Sequence, residues 1–229
     1  MTTPPSPPLN FDPRQVPVVG VDAQLPKVPA QALQAQALAQ RFASPRVWTP
    51  ELLAETRFSQ RAPVHASVLI PLVMRDDGLT VLLTERTTHL SSHSGQVAFP
   101  GGKADPEDAD AVETALREAE EEIGLERRYV QVLGSMPIYT TGSAFLVTPV
   151  VARVQADHSV TANPHEVADV FEVPLSYLMD PANHRRHAVE WAGARREWLS
   201  MPYVDANAER FIWGATAGML RNFYRFLLD

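Results

Sequence analysis

No cysteine occurs in the 229 residues, which excludes disulfides, zinc–thiolate centres and thiol nucleophiles. Positive charge is also in short supply: 20 Lys and Arg against 27 Asp and Glu leave a net charge of −7. Binding of nucleic-acid phosphates needs clustered Lys and Arg, so no nucleic-acid partner is expected, and an anionic small ligand would need a cation to mediate. No apolar run approaches the ~20 residues that cross a bilayer; the longest, 66–74, is interrupted by Pro71. The N-terminus lacks an apolar signal core. No membrane partner is therefore expected, and the cytoplasm is the default location. A hydrophobic content of 45% is nonetheless enough for a real core, and one domain with an appendage is the natural expectation.

Proline is unevenly spread, with nine of the twenty at or before Pro45. Such a segment stays extended. Within it, residues 30–42 turn to Ala, Gln and Leu behind Pro29, which predicts a short peripheral helix. A second short helix is expected at 50–53, with Thr49 as N-cap and Trp48 as a hydrophobic staple. Residues 1–62 thus form a Pro-rich arm with short helices, either packed on the domain as decoration or serving as a dimer contact or lid.

The regular domain is expected over 63–229. Residues 64–74 read as a strand buried on both faces, 76–78 as a turn and 79–84 as its hairpin partner. Residues 85–94, with Arg86, His89 and His93, read as a surface loop. A short strand at 95–99 then delivers Pro100-Gly101-Gly102, whose glycines allow backbone N–H groups to come close to a ligand. Residues 130–136 and 145–154 read as strands joined by a polar loop, 139–143. His184, His187 and the nearby arginines make a basic hairpin-like segment, either solvated or turned toward a phosphate. Residues 208–228 read as one long helix packed on the sheet.

Between Asp105 and Gly124 lies the carboxylate-rich stretch on which the chemistry rests. Asp105 or Asp108 can start the helix, and Gly124 stops it. At 100° per residue, with Glu118 at 0°, Glu121 falls near −60° and Glu122 near +40°, so three carboxylates share an arc of about 100°. Val112, Leu116, Ala119 and Ile123 cluster at about 100–160°, which places the acidic arc at the edge of the core. Glu113–Arg117 and Arg117–Glu121 can pair at i,i+4 spacing. A Glu-rich helix is often only a solvated face. Carboxylates crowded beside a core stripe, however, repel and call for a counter-ion, and hard oxygen donors select Mg²⁺ or Mn²⁺.

The run Arg117-Glu118-Ala119-Glu120-Glu121-Glu122-Ile123-Gly124-Leu125 resembles the signature G-x5-E-x7-R-E-U-x-E-E-x-G-U of the Nudix hydrolase family, with U an apolar residue. Five residues separate Gly102 from Asp108, which stands in place of Glu, and eight residues, one more than usual, separate it from Arg117. Upstream, Leu82-Leu83-Thr84-Glu85-Arg86-Thr87, Ser91, Gly95 and Phe99-Pro100-Gly101-Gly102 resemble the motif LLTxR[SA]x3Rx3Gx3FPGG of the coenzyme A diphosphatase branch, with Thr87 for Ser or Ala and Ser91 for Arg.

The resemblance implies an α/β/α sandwich with a mixed β-sheet. It implies Glu118, Glu121 and Glu122 as metal ligands for Mg²⁺ or Mn²⁺, Glu118 also as activator of water, and Arg117 as the residue orienting the carboxylates. Arg86 and Lys103, with Gly101 and Gly102, are assigned to substrate phosphate, and Glu166, in a late loop, to an additional base or ligand. The implied partner is a nucleotide small molecule, most directly coenzyme A or a derivative cleaved to 4′-phosphopantetheine and adenosine 3′,5′-bisphosphate. ADP-ribose or a dinucleotide remains open as substrate, as do a non-catalytic ligand-sensing module and a homodimer.

Overall fold

The computed structural model describes residues 12–87, 95–191, 194–206 and 208–228. The first part of the Pro-rich segment, and His89, Ser91 and His93, lie outside the described residues.

Strand β1 (Val18–Val21) and helix α1 (Ala35–Ala43) come from the arm. The central sheet follows: β2 (Val64–Arg75), β3 (Gly78–Arg86), β4 (Val97–Ala98) and β5 (Gly101–Lys103), then helix α2 (Ala111–Ile123), and β6 (Val130–Ser135), β7 (Tyr139–Thr140), β8 (Phe145–Val154) and β9 (Val167–Pro174). After the short helix α3 (Leu175–Leu178) come β10 (Arg185–Trp191), β11 (Ala194–Val204), β12 (Glu209–Trp213) and the final helix α4 (Gly214–Leu228).

In the larger sheet β2 runs parallel to β8, while its partners β3 and β5 are antiparallel. The β-branched, apolar run of β2 is covered on both faces, as its two-sided pattern predicts. On one face, Leu69, Val73, Leu82 and Val150 pack against Ala115, Ala119 and Ile123 of α2. On the other, Ile70, Leu72, Leu83 and Val151 pack with Leu220, Phe223 and Tyr224 of α4. This is the expected α/β/α sandwich with a mixed sheet. A second, four-stranded sheet has the order β1-β10-β11-β12.

Three local expectations are corrected. Residues 208–228 are not one helix: Phe211 and Ile212 lie in β12, opposite Pro202 and Met201 of β11, and α4 starts only at Gly214, whose φ of 60° breaks the strand. The aromatic and β-branched run Phe-Ile-Trp finds a sheet edge, and pairing overrides the helical spacing. Residues 50–53 form no helix, because Arg221 of α4 holds Glu51 and the side chain of Asn222 binds the Leu52 N–H at 2.9 Å. Trp48 packs against Phe226 instead of acting as a staple. The arm helix is also less peripheral than its glutamines suggest: Leu38 is fully buried, and Phe42 lies 4.7 Å from Phe226 between ring centroids.

The basic hairpin turns its histidines inward, while Arg185 and Arg195 stay exposed. His184 and His187 are buried. His184 Nε2 meets the Leu178 carbonyl at 2.7 Å, and His187 bridges the Val16 carbonyl and the Ser200 hydroxyl. Arg186 is taken by Asp22 and Glu51 from the arm.

Candidate active site

The site is assembled by two strands that lie between β2 and β3. β4 pairs with the end of β3 through Thr84↔Ala98 and Glu85↔Val97, and the Leu69 N–H donates to the Pro100 carbonyl at 2.8 Å. β5 then pairs with β2 through Ser67↔Gly102 and Val68↔Gly101. Gly101 has φ 156°, and a Cβ there would lie 2.4 Å from the Ser67 carbonyl oxygen, so only glycine fits.

Helix α2 is capped by Asp110, not by Asp105 or Asp108: its Oδ1 accepts from the N–H groups of Val112 and Glu113 at 2.8 and 2.9 Å. Gly124 ends the helix in the left-handed conformation, as expected. Its buried face comprises Thr114, Ala115, Ala119, Glu122 and Ile123. Glu122 therefore lies within the buried face and not at its edge, a shift from the helical-wheel expectation. Burial is tolerated because polar partners reach it. Oε2 accepts from the Gly101 N–H at 3.1 Å, and Oε1 lies 3.4 Å from Nη1 of Arg86. Burial still dominates and pushes Glu122 up to about 7; the Gly101 and Arg86 contacts oppose the rise, and Glu118 and Glu166 add to it.

Glu118 is half-buried, with its carboxylate where a Cβ on Gly102 would sit, 2.5 Å away. Burial raises it above the usual carboxylate value, Arg117 opposes this, and the charges of Glu121 and Glu166 assist it. Glu121 is exposed and pairs with Arg117 Nη1 at 3.1 Å. Glu166 sits in the 163–167 turn, with its N–H bonded to the Asn163 carbonyl and its own carbonyl accepting from Thr87. Its charge is felt by both Glu118 and Glu122.

Arg117 is the hub. It binds Asp108 through two parallel hydrogen bonds of 2.9 Å, touches Glu118 at 3.0 Å and donates to the Lys103 carbonyl at 3.1 Å. The Arg117 guanidinium holds Asp108 well below the usual carboxylate range. Glu113, expected to pair with Arg117, pairs with Arg127 instead, because Asp108 already occupies the Arg117 fork. Sequence reasoning missed Asp108 as this anchor; the available signal was its place at the motif's first acid. Lys103 contributes its carbonyl to the hub and leaves its side chain exposed. Arg86, assigned to phosphate, points its guanidinium at Glu122.

Among the described residues no three His, Asp or Glu side chains are drawn together tightly enough to enclose an ion. Donor chemistry and charge nevertheless fit a divalent cation. Glu118 and Glu122 are hard oxygen donors on one helix face, Glu166 adds negative charge, and among the described residues the buried Glu122 pairs with one cation, Arg86, 3.4 Å away. Glu121, as it stands, is engaged by Arg117.

The two glycines predict opposite outcomes for the same substitution. Gly102→Ala meets only the flexible end of Glu118; the thermal midpoint should hardly move, while displacement of that carboxylate lowers kcat by about a hundredfold. Gly101→Ala meets backbone at a left-handed φ, and thermal unfolding should show a loss of about 3 kcal/mol. Equal behaviour of the two variants would contradict this placement.

A NUDIX domain matches residues 63–198. A protein of Yersinia enterocolitica named "Uncharacterized Nudix hydrolase NudL" is 44% identical over 158 residues, covering 69% of this chain and 78% of the relative. Its namesake in Yersinia pestis is 40% identical over 172 residues, covering 75% and 83%. Among solved structures, a Nudix hydrolase of M. Smegmatis, RenU, aligns with TM-score 0.45 and 22% identity over 52% of this chain and 76% of its own. The NUDIX domain of Shewanella oneidensis NrtR, complexed with ADP ribose, aligns with TM-score 0.40 and 22% identity over 51% and 75%. From the domain match and the close relatives, this chain belongs to the Nudix hydrolase family.

Proposed function

We propose that the protein is a divalent-metal-dependent diphosphatase that hydrolyses coenzyme A or its derivatives to 4′-phosphopantetheine and adenosine 3′,5′-bisphosphate. Nudix hydrolases act on nucleoside diphosphate derivatives and generally use divalent metal ions; the substrate and the ion are this proposal's own. The observation that carries it is the convergence on Glu122 of two separate parts of the sequence pattern. Arg86, from the LLTER end of β3, and the Gly101 N–H, from FPGG, both meet its carboxylate.

Glu118 and Glu122 would hold the ion, with Glu166 or a released Glu121 completing the oxygen set. A bound Mg²⁺ or Mn²⁺ supplies charge neutralisation at the diphosphate oxygens and lowers the pKa of a nearby water. Glu118, whose carboxyl is held above its ordinary value by burial, is suited to take the proton from the attacking water at a carboxylate oxygen. Attack forms one P–O bond and breaks the bridging P–O bond, leaving two monophosphates. Arg117, held by the two hydrogen bonds it donates to Asp108, keeps Glu118 in place. Lys103, exposed at the end of β5, is suited to the outer phosphate oxygens.

Product analysis with Mg²⁺ or Mn²⁺ and, separately, coenzyme A, ADP-ribose and NADH tests the reading. Selective release of 4′-phosphopantetheine supports it. Turnover of the others alone would transfer the proposal to ADP-ribose or dinucleotides, the reading favoured by Ser91 standing where the branch has arginine. Binding without turnover of any would favour a sensing module, against which the intact Glu118, Glu121 and Glu122 set argues.

A further inference from the structure

On the sheet face covered by α2, three residues stand side by side across three strands. Thr148 of β8 is in register with Ser67 of β2, and Ser67 with Gly102 of β5. Neighbouring strands are about 4.8 Å apart, so the row is short, and it ends where Glu118 fills the space above Gly102. Beside it, under the first turn of α2, lies a cavity of about 220 Å³ lined in part by His65, Ser67, Thr114, Thr148 and Asp108. That is space for roughly seven water molecules.

The walls are polar. The Thr114 hydroxyl donates to the Asp110 carbonyl at 3.2 Å, and the Asp108 carboxylate is filled by Arg117 and the Asp105 N–H. Ser67 is only 2% exposed; its hydroxyl and that of Thr148 line the cavity, where each can donate one hydrogen bond and accept another. Among the described residues the cavity wall has no Lys or Arg, and Asp108 and Asp110 stand on it, so an anionic group is disfavoured. An uncharged group bearing hydroxyls or amides can bond the Ser67 and Thr148 hydroxyls without a charge penalty.

Position then links the cavity to the chemistry. Thr114 precedes Glu118 by one turn on the same helix face, about 6 Å along the axis. We infer that this cavity is the subsite for the uncharged moiety joined to the diphosphate, with Ser67 and Thr148 hydrogen-bonding its first hydroxyl or amide; the inference rests on the diphosphatase reading above.

Product inhibition separates the two halves of such a substrate. With Ser67→Ala/Thr148→Val, inhibition by 4′-phosphopantetheine should weaken about tenfold and KM for coenzyme A should rise similarly, the size of a lost hydrogen bond to a neutral group. Inhibition by adenosine 3′,5′-bisphosphate and kcat should stay within about threefold, within the scatter of one modest contact. Unchanged inhibition by both products, or equal loss of both, overturns the subsite. If the double variant fails to fold, the near-isosteric Thr148→Val alone, expected at about threefold for the same product, decides. If the wild type cleaves a different nucleoside diphosphate derivative, the coenzyme A reading fails by itself, and the subsite is judged on the product carrying the neutral moiety.

Discussion

Glu122→Gln is expected to keep the fold and to lower metal-dependent turnover at least about a thousandfold, the scale of losing a charged group that organises the transition state. The amide oxygen can still accept from the Gly101 N–H, so the contact that positions β5 against α2 survives. What disappears is the buried negative charge. The stability consequence has the opposite sign. In the wild type Glu122 titrates at about 7 in the fold, against a reference value of 4.5, so the folded state binds its proton more tightly. The associated stability is fully present below pH 4.5 and is lost as pH rises through 7. Without divalent ions at pH 8, the Gln variant should therefore be the more stable protein, by up to about 3 kcal/mol. Thermal unfolding at pH 5 and pH 8, with and without Mg²⁺, checks this. Mg²⁺ should raise the wild-type midpoint and leave that of the variant unmoved; unchanged turnover, or equal stabilisation of both by Mg²⁺, would sink the assignment of Glu122 to the ion.

Arg221→Ala is expected to be the most destabilising exchange away from the site, at about 3–5 kcal/mol, because it breaks a buried ion network and leaves acids without their partner. The Arg221 side chain is 1% exposed and meets Glu51 at 2.7 Å and Asp22 at 3.0 Å. Arg186 binds the same two acids, so the network survives in part and confines the damage to the arm and α4. His184 sits against it, 2.9 Å from Arg221 Nη1. Burial lowers its pKa to about 4, assisted by Arg221, while the Leu178 carbonyl contact and the nearby acids oppose the shift. With the folded value below the reference 6.5, its contribution is present above pH 6.5 and is lost as pH falls through 4. The wild type should accordingly lose thermal stability between pH 6.5 and 4 through His184, and His184→Gln should flatten that part of the profile. A midpoint lowered by less than about 3 °C in Arg221→Ala would show that the network is not a stabilising element.

Local signals carried the reading of the core. The β-branched run of β2, the Asp-Asp-Gly turn and the Gly124 stop each act over a few residues, and each matches the fold. The shared face of Glu118 and Glu122 was legible from helical geometry. The burial of Glu122 was not, because it depends on Gly101 and Arg86 arriving from other strands. Asp108 was visible as a departure from the family spacing, but the two hydrogen bonds it accepts from Arg117 depend on how the 103–110 loop folds back. Phe211 and Ile212 misled by spacing alone: only the partner strand β11 tells an edge strand from the start of a helix. Likewise, nothing near His184 or His187 in sequence announces Arg221 or Val16 as partners.

The closure of α4 onto the arm also orders events during synthesis. The Tyr224 hydroxyl donates to the Pro26 carbonyl across 198 positions, and Arg221 reaches Glu51 across 170. At ribosomal rates of about 5–20 residues per second, Glu51 waits roughly nine to thirty-four seconds for its partner to be made. During that interval Leu38 and Phe42 have no α4 to cover them, although β6 already lies against Phe42 through Gly134. The final architecture is thus sealed only once α4 has been made, and a chain stopped before Gly214 would be left for chaperones or proteases to handle.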